Sequence, residues 1–222
     1  MTTLTRQLDT WTSEFGQAYT ERNNLSLDDM DRTFAEQFGV AKSAIYRDLV
    51  GPDRLPTGKV LEVGCNIGLQ LRLLERANPG LEYHGLEPQG YAIDRAREHA
   101  PNMHFHPGTA FALPFPDGAF DLVMTHGVLI HIHPDDLPKA LAEICRVSRR
   151  FVLAHEYYAP TTVEISYRGK AGLLWKTDFA LRYEEVCPAL ERVEVRYYPY
   201  SEAAGGPGLS DQVVLFEKRR TG

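Results

Sequence analysis

The sequence predicts an α/β fold: a doubly wound, mostly parallel sheet preceded by helices and closed by an antiparallel hairpin. Three observations carry this. A strand, a glycine turn and a helix follow one another over residues 59–74. Strand-like and helix-like stretches then alternate as far as Tyr158. Two further strand-like runs, at 191–200 and 210–218, are joined by a glycine-rich connection at 203–208.

The chain of 222 residues is long enough for one domain with its own core. It divides into an N-terminal helical cap or lid at 1–58, a ligand-binding core at 59–158, and a substrate loop with closing hairpin at 159–222. No internal repeat marks a second domain. Hydrophobic content of 43% and charged content of 24% are those of an ordinary globular protein. No apolar run approaches membrane-spanning length, and the first residues do not open a signal peptide. The three cysteines are far apart and odd in number, which fits a reducing cytoplasm and no disulfide framework. A net charge of −6 argues against a nucleic-acid surface and is compatible with a cationic substrate. The expected partner is therefore a small molecule, with neither nucleic acid nor membrane; a homodimer is compatible with the sequence.

Leu4, Leu8, Trp11 and Phe15 recur at helical spacing and predict one amphipathic helix over 4–19, weakened by Gly16 and ended by Asn23-Asn24. A second helix starts near Asp28, places Met30, Phe34 and Phe38 on one face, and stops at Gly39; a third spans 40–49. These helices either cover a flank of the sheet or form a lid, in which case Tyr19 and Arg22 reach a ligand carboxylate.

The core turns on Glu62 and Gly64-Cys65-Asn66-Ile67-Gly68, between a strand at 59–63 and a helix from Leu69. Glycine permits backbone conformations that a Cβ would obstruct, so this turn can pass close to a ligand. A nicotinamide site would show G-x-G-x-x-G, but Asn66 occupies the middle position and no third glycine follows. The acidic strand-end residue Glu62 suits an ammonium group better than a pyrophosphate. A second strand, 81–87, ends at Glu87, placed to accept both ribose hydroxyls of an adenosine. Glu87 is otherwise a cap for the helix at 91–100.

A short strand at 103–106 leads to Thr109-Ala110-Phe111, then to a strand at 120–125. His126, His131, His133, Asp135 and Asp136 crowd the segment after it. No further ligand lies nearby in sequence, so no metal is expected. His131 is a candidate for substrate contact or proton removal, and equally an ordinary hydrogen-bonded histidine. Asp135-Asp136 caps the helix at 137–147. A fifth strand at 150–158 ends in Glu156-Tyr157-Tyr158, where the carboxylate would hold a cationic amine or act as base and the tyrosines would favour a cation. The loop at 159–178 is too irregular for a helix; its Tyr167, Arg168 and Lys170 are candidate substrate contacts.

The stretch 59–68 resembles motif I of the class I S-adenosylmethionine-dependent methyltransferases. That resemblance implies a Rossmann-like, seven-stranded sandwich with S-adenosylmethionine as cofactor. It places Tyr19, Arg22, Glu62, Gly64, Cys65, Asn66, Gly68, Glu87, Thr109, Ala110, Phe111 and His126 around the cofactor, the adenine lying by Thr109-Ala110-Phe111. An aspartate usual in this loop is missing. Over nearly its whole length the chain is similar to methylases associated with pseudaminic acid biosynthesis. The matching residues include Phe15-Gly16, Tyr19-Thr20, Arg22-Asn23, Leu61 to Gly68, Gly127 to Ile132, Glu156-Tyr157-Tyr158, Tyr167-Arg168-Gly169 and Asp178-Phe179-Ala180. The implied function is methylation of a small polar metabolite in a natural-product or modified-sugar pathway. An amine or guanidine acceptor gripped by Glu156, with Tyr157 beside it, is preferred. A sugar hydroxyl with His131 as base, or a non-catalytic cofactor-binding partner protein, is the alternative.

Overall fold

Strand β1 (Gly58–Val63) pairs in parallel with β2 (Leu81–Glu87) on one side and β4 (Phe120–His126) on the other. Both of its faces are covered, which is why Val60, Leu61 and Val63 form a nearly continuous apolar run. The computed structural model describes residues 3–200 and 210–219. The glycine-rich connection expected at 203–208, and the side chain of Leu4, lie outside the described residues.

With β3 (His104–Pro107), β5 (Ser148–Tyr158), β8 (Leu190–Pro199) and β9 (Ser210–Lys218), these strands form a seven-stranded sheet in the order β3-β2-β1-β4-β5-β9-β8. The first five are parallel; β9 runs antiparallel to β5 and β8. Chain order reverses between β1 and β4, so a crevice opens at the carboxyl ends of these two strands.

Four helices precede the sheet: α1 (Thr3–Trp11), α2 (Glu14–Arg22), α3 (Leu27–Phe38) and α4 (Lys42–Val50). Helices α4, α5 (Leu69–Ala77) and α6 (Gly90–His99) bury Tyr46, Leu71 and Ile93 against Val60, Leu122 and Phe151 on one face. Helices α7 (Leu137–Val147) and α8 (Phe179–Val186) bury Ile144, Phe179 and Tyr183 against the opposite-facing Leu61, Val123 and Val152. The two sets of strand residues alternate, as the pleat requires. No helix among the described residues is long and apolar enough to cross a membrane.

The structure refines several local expectations. The single helix over 4–19 is two helices, broken at Thr12 and Ser13, where the Ser13 hydroxyl accepts from the Phe15 N–H at 3.3 Å. Gly16 lies inside α2, where a Cβ would stand 1.8 Å from the Trp11 carbonyl oxygen, and that helix ends at Asn23, as expected. Asp136 occupies the position before α7, yet its side chain makes no cap, and one of its oxygens is buried without a partner. Residues 159–178 are an ordered flap in which β6 (Val163–Glu164) pairs antiparallel with β7 (Trp175–Lys176). Helix α8, which no sequence expectation covered, starts where Asp178 accepts from the Leu181 N–H at 3.2 Å.

Candidate cofactor and methyl-transfer site

The floor of the crevice is the turn after β1. Gly64 (φ 73°) donates its N–H to the Leu86 carbonyl at 2.7 Å, tying the turn to β2. A Cβ on Gly64 would come within 2.6 Å of Val128, so glycine here allows two loops to meet. The turn then points the Asn66 N–H at Glu87 Oε2, 3.0 Å away, while Gln89 N–H donates to Glu87 Oε1 at 3.1 Å. Burial pushes the Glu87 carboxyl up to about 7. Glu62 is also buried, which raises its carboxyl well above the usual range, and its Oε2 has no partner. A buried acceptor without a donor is costly unless a ligand supplies one.

These groups line one cavity of about 210 Å³. Its wall includes Tyr19, Glu62, Gly64, Cys65, Asn66, Glu87, Thr109, Ala110, Phe111, His126 and His131. Behind His126 runs a buried polar chain. The Lys42 ammonium donates to His155 Nδ1 at 2.5 Å, and His155 Nε2 donates to Asp211 at 2.9 Å. The His126 and His155 rings lie 4.7 Å apart, and burial, then the Lys42 charge, hold both imidazoles well below their usual range.

Two distant segments close the top. Trp11, at the end of α1, packs its ring 4.4 Å from His131, 5.3 Å from Tyr19 and 6.5 Å from Tyr167 at the flap tip. The tip is a tight turn in which Arg168 (φ 53°) and Gly169 (φ 75°) are both left-handed, the geometry of a two-residue hairpin loop. Lys170 Nζ sits 4.6 Å from the Phe15 ring centroid, holding the flap against α2. Gln89 ties the lid to the core, donating to the Trp11 carbonyl at 2.9 Å and accepting from Thr20 at 3.1 Å.

His131 stands on the cavity wall beneath this cover. Its Nδ1 lies 2.7 Å from the Leu173 carbonyl oxygen and must donate to it, which leaves Nε2 as an acceptor. Burial pushes the imidazole down to about 4, so it is neutral at pH 7.

The carboxylate of Glu156, expected to face the substrate, is turned instead to backbone. It is 1% exposed and accepts from the Val128 and Ile130 N–H groups at 3.3 and 3.4 Å, anchoring the turn that presents His131. Tyr157 and Tyr158 point to opposite sides of β5 and neither lines the cavity: Lys176 Nζ is 5.3 Å from the Tyr157 ring, and Tyr158 packs 4.8 Å from Tyr197. Arg22 is exposed and Arg168 is exposed at the flap tip, both outside the cavity lining. Gly68 (φ 73°) lies beneath the floor, where a Cβ would meet the Phe105 ring at 3.0 Å. Sequence reasoning missed the cavity-lining Gln7 and Trp11, and also Gln89. Trp11 was visible as part of an apolar helix face, but nothing in its spacing showed that this face closes over His131.

Residues 60–150 match the family model described as a methyltransferase domain. The match covers less than half of the chain; with the sheet order it gives the chain a Rossmann-like methyltransferase fold. The chain is 35% identical over 104 residues to an uncharacterized methyltransferase, C1B3.06c, of Schizosaccharomyces pombe, covering 42% of this chain and 37% of that protein. It is 34% identical over 124 residues to a phthiotriol/phenolphthiotriol dimycocerosates methyltransferase of Mycobacterium leprae, covering 55% and 43%. The matches thus span less than half the length of these relatives. Among solved structures, the Burkholderia thailandensis 1,6-didemethyltoxoflavin-N1-methyltransferase superposes with a TM-score of 0.63 at 17% identity, over 93% of this chain and 90% of that one. The [4+2]-cyclase SpnF superposes at 0.61 and 15% identity, over 80% and 81%. These two likenesses show the fold.

The residues fit S-adenosylmethionine, the cofactor of this domain. The unpartnered Glu62 oxygen suits its ammonium group, Glu87 suits the paired ribose hydroxyls, and the turn at Thr109–Phe111 offers apolar walls and backbone groups to an adenine.

Proposed function

We propose that this protein methylates a small polar metabolite at a hydroxyl group, with S-adenosylmethionine as donor and His131 Nε2 receiving the acceptor's proton. The observation that carries this reading is the neutral His131 on the cavity wall, its Nδ1 occupied by Leu173 and its Nε2 free to accept. When bound, the cofactor supplies an electrophilic methyl group. Glu62 and Glu87 hold it by its two ends, and Trp11, Tyr19 and Tyr167 exclude water from the space above His131. Alignment of this kind supplies roughly 7–11 kcal/mol of barrier reduction. A base as weak as His131 suffices, because an attacking oxygen becomes strongly acidic as its new bond to carbon forms.

A second reading, an amine acceptor, is favoured by the aromatic surfaces of Trp11, Tyr19 and Tyr167, which suit a cation. It does not draw on Glu156, whose oxygens already accept backbone N–H groups. The resemblance to pseudaminic acid-associated methylases supports a modified sugar, and the net charge of −6 favours a small molecule over a nucleic acid. The test is a methyl-transfer screen of amino sugars, neutral sugars and amines with wild type and His131→Ala. Methylation of a sugar hydroxyl that collapses in His131→Ala supports the proposal. Turnover on amines alone, or turnover unaffected by the substitution, overturns the hydroxyl reading. Cofactor binding with no turnover on any class favours a binding protein.

A further inference from the structure

On the open edge of the sheet, well below the cofactor crevice, four side chains able to bind a metal converge. Glu82 and His84 are two apart on β2 and therefore share a face; His104 and His106 stand likewise on the edge strand β3. Register pairs His84 with His104 and Leu86 with His106, so the rings stack: His84 lies 4.7 Å from His104 and 5.4 Å from His106. One ligand atom from each of Glu82, His84 and His104 falls within 4.8 Å of the other two.

We propose that Glu82, His84 and His104 bind a divalent transition-metal ion of the zinc type, which staples edge strand β3 to β2. Imidazole and carboxylate are the donors zinc takes, at about 2.0–2.2 Å, and three protein ligands with water completing the shell make a sufficient set. His84 is already oriented for it. Its Nδ1 is 3.1 Å from His106 Nε2 and its Nε2 is 2.8 Å from Glu82 Oε1, so His106 serves as the outer partner that fixes the ring while Nε2 faces the ion. Glu82 and His104 are exposed, leaving them free to shift by the roughly 1.5 Å or less that separates a 4.8 Å spread from the spacing of ligands on a tetrahedral zinc. Lys59 Nζ, 3.1 Å from Glu82, is the competing cation. Both members of that pair are about half exposed, so its hold is weak. Three residues of strand, roughly 10 Å, separate His84 from Glu87, so the metal acts on the edge of the sheet and not on methyl transfer. The histidine run at 126–133 contributes no ligand to this site.

The test is calorimetric titration of chelator-stripped protein with zinc chloride, with thermal unfolding in parallel. Wild type should take up one equivalent with roughly micromolar affinity and unfold at a higher temperature with zinc than without. His104→Ala and His84→Ala should each weaken uptake at least tenfold and lose the thermal shift, while His133→Ala should retain both. Circular dichroism of the exposed-site variant His104→Ala separates loss of ligand from loss of fold. Zinc uptake unchanged in His104→Ala, or absent from wild type at millimolar metal, would overturn the proposal.

Discussion

Glu87 and Glu156 are nearly the same object placed in two regions. Glu87 ends one parallel strand and Glu156 lies two residues before the end of another; each accepts two backbone N–H groups, and burial raises each carboxyl to about 7. They differ in what covers them. Glu87 lines the cavity and keeps capacity for a ligand, whereas Glu156 is sealed by the turn at Leu129–His131. An acidic strand end thus has two uses: to face a cavity, or to hold the loop that carries His131. Which use applies depends on the loop that folds over it.

The sharpest way to break this comparison is to truncate both carboxylates. Glu87→Ala should weaken S-adenosylhomocysteine binding by two to three orders of magnitude, about 3–4 kcal/mol for two lost charge-assisted bonds. Glu156→Ala should change that affinity by no more than a few-fold, and equal losses would erase the distinction. Next in size, His131→Ala should lower kcat by about 100-fold, the low end for a lost proton acceptor, with cofactor affinity kept. Smaller still is a pH effect. Cofactor affinity should rise on the order of tenfold between pH 6 and 8, as Glu87 ionises with its carboxyl at about 7, and Glu87→Gln should flatten that rise.

The smallest effect on binding accompanies a stability change. Glu156→Ala leaves the Val128 and Ile130 N–H groups without an acceptor and should cost about 2 kcal/mol. Because its carboxyl is raised from 4.5 to about 7, the stability that Glu156 contributes is full below 4.5 and is lost as pH rises through about 7. The gap in Tm between wild type and Glu156→Ala should therefore be widest near pH 4 and narrow toward pH 8. A gap that widened with pH would show that the ionised carboxylate is the stabilising form.

The same contrast explains what was legible in the sequence. Glu62, Gly64, Asn66 and Glu87 could be placed from one sequence because a strand, a turn and a helix determine each other's geometry over about 30 residues. The two strands of the closing hairpin were legible as strand-like runs on either side of a glycine-rich connection. The top of the site obeys no such local rule. Trp11, His131 and Tyr167 come from three remote segments, and their meeting depends on a helix break at Ser13, a flap turn at Arg168-Gly169, and the link that Gln89 makes. The role expected of Glu156 failed for the same reason: position at a strand end was visible, but the loop above it was not. Helix α8 was obscured because residues 179–186 are short and sit between an irregular segment and a strand.

The central claim, that the crevice is an S-adenosylmethionine site whose unpartnered Glu62 oxygen awaits an ammonium group, is tested most directly by calorimetric titration of wild type and Glu62→Gln with S-adenosylhomocysteine, and of wild type with NAD. One-site binding of S-adenosylhomocysteine, weakened about 100-fold in Glu62→Gln (roughly 3 kcal/mol), with no heat from NAD, is the predicted result. Binding of NAD, or S-adenosylhomocysteine affinity equal in the two proteins, would contradict it.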